Sequence, residues 1–179
     1  KKIGQGAYGL ICAATDRANG DTVAVKKIAN AFEDAIDCKR MLREMRLLQH
    51  FKHENVLCLK DIMMPNGGRI QDWKDVYLVT RLFDTNLHRV IYSGHALTDA
   101  HIQYILWQIF RALRYLHAAG VVHRDMKPTN LLLNRDCELA LADFGLARYM
   151  PQEPEDAPGK PGEGRAGLLT KYVVTRWYR

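Results

Sequence analysis

The sequence predicts a mixed α/β fold in two parts: several strands and one helix over residues 1 to about 80, then a mainly helical part. Three observations carry this. Short runs rich in β-branched and apolar residues, Leu10–Ala14, Thr22–Lys26 and Val76–Thr80, are separated by turn-rich segments in the first half. In the second half Ile102, Ile105, Leu106, Ile109, Leu113 and Leu116 recur at the spacing of one helix face. Beyond them, Leu131-Leu132-Leu133 and Leu139-Ala140-Leu141 flank the turn residues Asn134-Arg135-Asp136 and read as a short strand pair.

Along the chain, Gly4-Gln5-Gly6-Ala7-Tyr8-Gly9 has the G-x-G-x-x-G spacing that dinucleotide-binding folds also use. A dinucleotide site needs strand, glycine turn and then helix. Here a strand (Leu10–Ala14), a turn (Arg17–Asp21) and another strand (Thr22–Lys26) follow, so the glycines join strands in a hairpin arrangement. Glycines at such a tip let backbone amides approach phosphates without a side-chain clash. No G-x-x-x-x-G-K-[ST] sequence is present, which removes the common P-loop alternative.

From about Asp34 to His50, Met41, Met45 and Leu48 recur at helical spacing. Glu44 shares that inward face, and an inward carboxylate is costly unless a cation pairs with it. The plainer alternative is a solvated Glu on a helix that also carries Lys39, Arg40, Arg43 and Arg46. Met63 to Trp73, with Pro65-Asn66-Gly67-Gly68, reads as a turn-rich loop before the strand Val76–Thr80. Thr98 is a candidate N-cap for the long helix, Asp99 complements its dipole, and Gly120 is a ready stop. From Pro151 to Gly167 prolines and glycines dominate, and a mobile loop is expected.

A hydrophobic fraction of 47% with 26% charged residues is that of an ordinary globular protein, and no run approaches a membrane span. The start, Lys1-Lys2-Ile3-Gly4, lacks the apolar core of a signal peptide. Cys12, Cys38, Cys58 and Cys137 are scattered without C-x-x-C or zinc-ligand spacing, which argues for free thiols in a reducing compartment. The net charge of +6 raises nucleic acid as a partner, but no long basic run or aromatic interleaving supports it.

The chemistry is concentrated in Val122-His123-Arg124-Asp125-Met126-Lys127-Pro128-Thr129-Asn130 and Asp143-Phe144-Gly145. These supply a carboxylate base, a phosphate-neutralising Lys, and an Asn and an Asp able to hold divalent metal, which is what phosphoryl transfer asks of a protein. Together with Val23–Lys26 and the glycine loop, they resemble the signature set of the eukaryotic protein kinases. The D-F-G-L-A-R run at 143–148 and Thr170-Lys171-Tyr172-Val173-Val174-Thr175-Arg176-Trp177-Tyr178-Arg179 resemble the mitogen-activated protein kinases. Leu42-Arg43-Glu44 and His53-Glu54-Asn55-Val56 resemble their extracellular-signal-regulated branch.

The resemblance implies a two-lobed kinase fold: an amino-terminal lobe over 1–83, and over 84–179 a carboxy-terminal lobe that is partial, ending before the A-P-E motif. It implies ATP and Mg²⁺ between the lobes. Gly4, Gly6, Gly9 and Ile11 would cover the nucleotide, Lys26 held by Glu44 would bind its phosphates, and the hinge residues Arg81 and Phe83 would offer backbone contacts beside the gatekeeper Thr80. Asp125 would accept or orient the substrate hydroxyl, Lys127 would neutralise the moving phosphoryl group, and Asn130 and Asp143 would hold metal. Phosphorylation of Thr170 and Tyr172 would switch the enzyme on. Arg43, Arg124 and Arg148 would gather around the first phosphate, and Arg176 and Arg179 would pair with the second.

Expected partners are proteins bearing Ser-Pro or Thr-Pro, an upstream dual-specificity kinase and phosphatases. Neither nucleic acid nor membrane is expected, and the implied location is cytoplasmic and/or nuclear. Lys171 stands where family members commonly carry Glu, Gly or Pro, and Met126 and Thr129 where Leu and Ser are usual. The alternative from another class is a pseudokinase that binds nucleotide or partners without turnover, whose usual sign is loss of one of these residues. A cyclin-dependent kinase shares the catalytic parts but not the T-x-Y pair.

Overall fold

A computed structural model of the chain describes residues 1–6, 9–63 and 74–150. The first part is a sheet of five antiparallel strands with one helix against it. In chain order these are β1 (Lys2–Gly6), β2 (Gly9–Thr15), β3 (Thr22–Ile28), α1 (Ala35–His50), β4 (Leu59–Met63) and β5 (Val76–Arg81). The sheet order is β1-β2-β3-β5-β4. Central β3 pairs Lys26 with Ile11 on one side and with Leu78 on the other. The hairpin expected at the glycine loop is present, with Gly6 opposite Gly9 and the tip residues 7–8 outside the described residues. Gly9 has φ +148°, and a Cβ there would sit 1.7 Å from the Lys27 carbonyl oxygen, so no other residue fits without moving β3. Gly4 has ordinary room, its nearest neighbour to an added Cβ being Ile11 at 3.9 Å.

Helix α1 starts where the sequence places it. The Asp34 carboxylate accepts from the amides of Ile36 (2.8 Å) and Asp37 (2.9 Å), a cap worth about 1 kcal/mol. Its buried face is Met41, Glu44 and Leu48.

The second part comprises β6 (Thr85–Asn86), α2 (Leu87–Ile91), α3 (Asp99–Ala118), β7 (Val121–Val122), a 3-10 turn at Pro128–Asn130, β8 (Leu131–Leu133), β9 (Leu139–Leu141) and β10 (Arg148–Tyr149). Thr98 caps α3 as expected, and His101 answers as the reciprocal partner, its Nδ1 3.2 Å from the Thr98 amide. Past the helix end, Gly120 takes φ +67°, with the Tyr149 ring so near that an added Cβ would lie 2.7 Å from it. The strand pair β8–β9 has the register Leu131–Leu141, Leu132–Ala140, Leu133–Leu139. Asn134 closes the turn, its Oδ1 accepting from the amides of Asp136 (3.0 Å) and Glu138 (2.9 Å). Arg81 belongs to β5, one residue beyond the strand end that the sequence predicts, because it continues the ladder opposite Val23.

One core runs through both parts, joining Met41, Leu48, Phe51 and Leu78 to Ile105, Leu116, Leu139, Leu141 and Phe144. The chain after α1 stitches the parts together through its backbone: Leu57 donates to the Leu141 carbonyl, and the Leu141 amide donates to the Asn55 carbonyl, both at 2.9 Å. The packing of α3 corrects the sequence expectation. Ile105 and Leu116 are buried, but Ile102 and Leu106 are 43% and 45% exposed, on a flank shared with Trp107 and Phe110. The buried face turns instead toward Gln108 and Ala112. Gln108 satisfies three buried groups: its Nε2 donates to the Cys137 carbonyl (2.7 Å), and its Oε1 accepts from the Leu139 amide (2.8 Å) and from Asn55 Nδ2 (2.9 Å).

Candidate active site

The site forms where β3, α1, the turn after β7 and the hairpin β8–β9 meet. Lys26 projects from β3 toward α1, and Glu44 meets it with both oxygens, at 2.7 and 2.9 Å from Nζ. Glu44 is 7% exposed, so the phase of α1 predicted from its apolar residues is observed, and the solvated-Glu alternative is excluded. A pair this dry holds its geometry because removing either charge strands the other.

Asp125 follows a strained turn, Arg124 taking the left-handed φ of +67°. The carboxylate is buried at 5% exposure and held twice through Oδ2, by Lys127 Nζ at 2.6 Å and by Asn130 Nδ2 at 3.1 Å. Asn130 Nδ2 also binds the Asp125 carbonyl at 2.9 Å, so three residues of the segment 125–130 form one rigid polar unit. The 3-10 turn Pro128–Asn130 makes this possible by folding Asn130 back over Asp125.

His123 supports the turn from below. One ring nitrogen lies 3.2 Å from the Asp125 amide and accepts from it, and the other lies 2.9 Å from the Ala142 carbonyl. Burial holds the imidazole's pKa below its ordinary value, against the Ala142 carbonyl and the charges of Asp143 and Asp125, which pull it up. The neutral ring therefore donates to Ala142 and accepts from Asp125. The same ring meets Phe144 edge-on at 5.1 Å, and Phe144 meets Phe51 at the foot of α1 at 5.6 Å. Phe144 is fully buried, so its neighbours fix the residues on either side of it.

Asp143 carries φ +67°. The preceding residue is anchored by the Ala142 amide, which donates to the Asn130 carbonyl at 2.9 Å. The hairpin thus delivers Asn130 at one end and Asp143 just past the other, as its sequence predicts. Their amide and carboxylate oxygens are hard donors of the kind that suit Mg²⁺, and the rigid Asp125–Asn130 unit gives them a fixed base, so the residues fit a divalent cation.

Three arginines converge behind this site. Arg43 Nη1 donates to the Gly145 carbonyl at 2.6 Å, and Arg148 Nη1 to the Ala147 carbonyl at 2.9 Å. Burial lowers the pKa of Arg43, and Arg148 and Arg124 lower it further; Arg124 is lowered by burial and then by Arg148. These cations therefore sit within reach of one another's fields, and Arg124 Nη1 is buried with no hydrogen-bond partner among the described residues.

At the lobe junction Thr80 is buried, Arg81 ends β5 and Phe83 lies just beyond it, with the Arg81 guanidinium 5.0 Å from the Phe83 ring centroid. Ile11 sits beside Lys26 on the neighbouring strand. Thr170, Tyr172, Arg176, Arg179, the segment Pro151–Gly167 and residues 64–73 lie outside the described residues. Sequence reasoning did not find the roles of His123, Phe144, Gln108 and Glu138. His123 and Phe144 stand inside the quoted motifs, so their place in the pattern was their only signal.

A protein kinase domain profile matches residues 1–179, and the chain belongs to the protein kinase family. It is similar to plant mitogen-activated protein kinases. Identity is 50% with mitogen-activated protein kinase 6 of Oryza sativa subsp. japonica, and 50% with mitogen-activated protein kinase homolog 1 of Petunia hybrida. It is 49% with mitogen-activated protein kinase 4 of Arabidopsis thaliana. Each match covers all of this chain, which spans 43–44% of the length of these relatives.

Proposed function

We propose that the protein is a serine/threonine protein kinase of the mitogen-activated type, moving the γ-phosphate of ATP to a Ser or Thr followed by Pro. The observation that carries this reading is the buried Asp125 carboxylate, held by Lys127 and Asn130 in a molecule that also pairs Lys26 with Glu44. Asp125 Oδ1 makes no hydrogen bond among those described for this carboxylate and is the oxygen left to receive or orient a substrate hydroxyl. Lys127 then serves twice, fixing Asp125 and lending positive charge to the phosphoryl group in transit. Lys26, kept in place by Glu44, binds the nucleotide's phosphates, and Gly9 permits the backbone approach above them. Asn130 and Asp143 would hold Mg²⁺, which when bound neutralises phosphate charge. All catalytic positions are filled, so no observation favours the pseudokinase reading.

The reading extends to regulation, partners and place. Phosphorylation of Thr170 and Tyr172 by an upstream dual-specificity kinase would switch the protein on, and phosphatases would switch it off. The gathered Arg43, Arg124 and Arg148 support a phosphate site for Thr170, because a dianion would relieve their mutual repulsion and satisfy the Arg124 Nη1 donor. Arg176 and Arg179 would serve Tyr172. A cytoplasmic and/or nuclear location accords with four cysteines that are all unpaired.

The experiment treats full-length protein with an activating kinase and compares the parent with Thr170→Ala, Tyr172→Phe and the double variant. A drop of about tenfold or more is expected for Thr170→Ala, since one charge-assisted hydrogen bond contributes about 1.5–3 kcal/mol. Full activity in Thr170→Ala would rule out the bridging role.

A further inference from the structure

The exit from β5 is tied to the β8–β9 turn at two points. Arg81 Nη2 lies 2.5 Å from Glu138 Oε2, and Asp84 Oδ2 accepts from the Arg135 amide at 3.2 Å. Between these ties the chain runs Leu82-Phe83 and then enters β6, whose Thr85 and Asn86 pair with Leu133 and Leu132 of β8. The hinge is thereby laced along the same hairpin that carries Asn130 at its start and leads into Asp143. Arg81 is the last residue of the five-stranded sheet, and Glu138 belongs to the second part. The contact therefore spans the two parts beside the hinge.

An exposed ion pair is usually worth little, because two long side chains must be immobilised for it. Here both partners are already held. The Arg81 guanidinium rests 5.0 Å from the Phe83 ring centroid, and Glu138 Oε2 also accepts from Asn134 Nδ2 at 2.8 Å. The Glu138 carboxyl is held below its ordinary pKa range, chiefly by its hydrogen bond to Arg81.

We propose that Arg81 is a positioning residue whose side chain, paired with Glu138, latches the hinge to the β8–β9 hairpin and so sets how tightly nucleotide is retained. The inference rests on the kinase reading and adds a role for the Arg81 side chain to the backbone contact expected of the hinge. The latch holds the β5 exit against the turn of the β8–β9 hairpin, where the nucleotide's hinge contacts are expected, so loosening it weakens nucleotide binding rather than the chemical step.

The test is a charge-reversal cycle in the full-length protein: R81E, E138R and the reversed pair R81E/E138R. Two readouts are followed, affinity for a fluorescent ADP and hydrogen exchange of the amides from Leu82 to Asn86 without nucleotide. Each single reversal is expected to weaken ADP binding about two- to fivefold and to speed hinge exchange, with the loss shrinking in high salt. The reversed pair is expected to restore both. A pair whose effects simply add, with no restoration, overturns the latch. Should a reversal prevent folding, R81A and E138Q carry the same comparison, and equal ADP affinity and exchange in all forms overturns it likewise. A parent that binds no nucleotide would sink the kinase reading and with it the role in nucleotide retention, whereas additive effects in a parent that does bind ADP overturn the latch alone.

Discussion

Asp125→Asn in the full-length protein is expected to lower kcat by about 10²–10⁴-fold, the usual contribution of a positioned base, with little loss of folding stability. The substitution keeps the shape of the side chain. An amide in place of the carboxylate loses the charge that draws Lys127 to 2.6 Å, yet its oxygen still accepts from Asn130. Because Asp125 is 5% exposed, water cannot replace the missing base. Affinity for ATP should change far less than kcat, since the role proposed for Asp125 is toward the substrate hydroxyl rather than the nucleotide. Initial-rate kinetics with varied ATP, alongside thermal melts, check this. A variant with more than a tenth of parental kcat would show that Asp125 is not the base.

Lys26→Met should remove turnover and also cost stability, because it leaves Glu44 as an unpaired carboxylate at 7% exposure. Breaking a buried pair costs about 3–5 kcal/mol; here a loss of about 1–3 kcal/mol is expected, since Lys26 keeps 22% of its side chain exposed. The double variant Lys26→Met/Glu44→Leu removes the stranded charge, and it should regain most of the stability while remaining inactive. Denaturant titration of the two proteins reads the difference. Equal stability in Lys26→Met and its parent would mean that Glu44 is solvated and that α1 presents another face.

The parts of the fold that were legible in the sequence are those written in local periodicity or capping. Asp34 precedes an apolar repeat, and its carboxylate does cap α1. Glu44 shares the phase of Met41 and Leu48, and it is buried against Lys26. The hairpin β8–β9 is two apolar triplets around a turn that opens on Asn134. What escaped was set by distant partners. Gln108 reads as an outward polar residue on α3, and only the loop around Cys137 and Asn55 shows why it faces the core. Ile102 and Leu106 fit the helical pattern but lie beside it, because the buried seam passes through Gln108 and Ala112 instead. Glu138 is 57 residues from Arg81, too far for any local signal to join them. Arg124 takes left-handed backbone without being Gly, Asn or Asp, so no turn rule marks it.

A working Ser/Thr kinase with a preference for Pro after the acceptor is what we propose this arrangement to be. The most direct measurement is transfer of labelled γ-phosphate from ATP by activated full-length protein to two peptides differing only as Ser-Pro and Ser-Ala. Faster transfer to Ser-Pro, lost in Asp125→Asn, is the predicted result. No labelled peptide of either kind, from protein phosphorylated on both Thr170 and Tyr172, would contradict it.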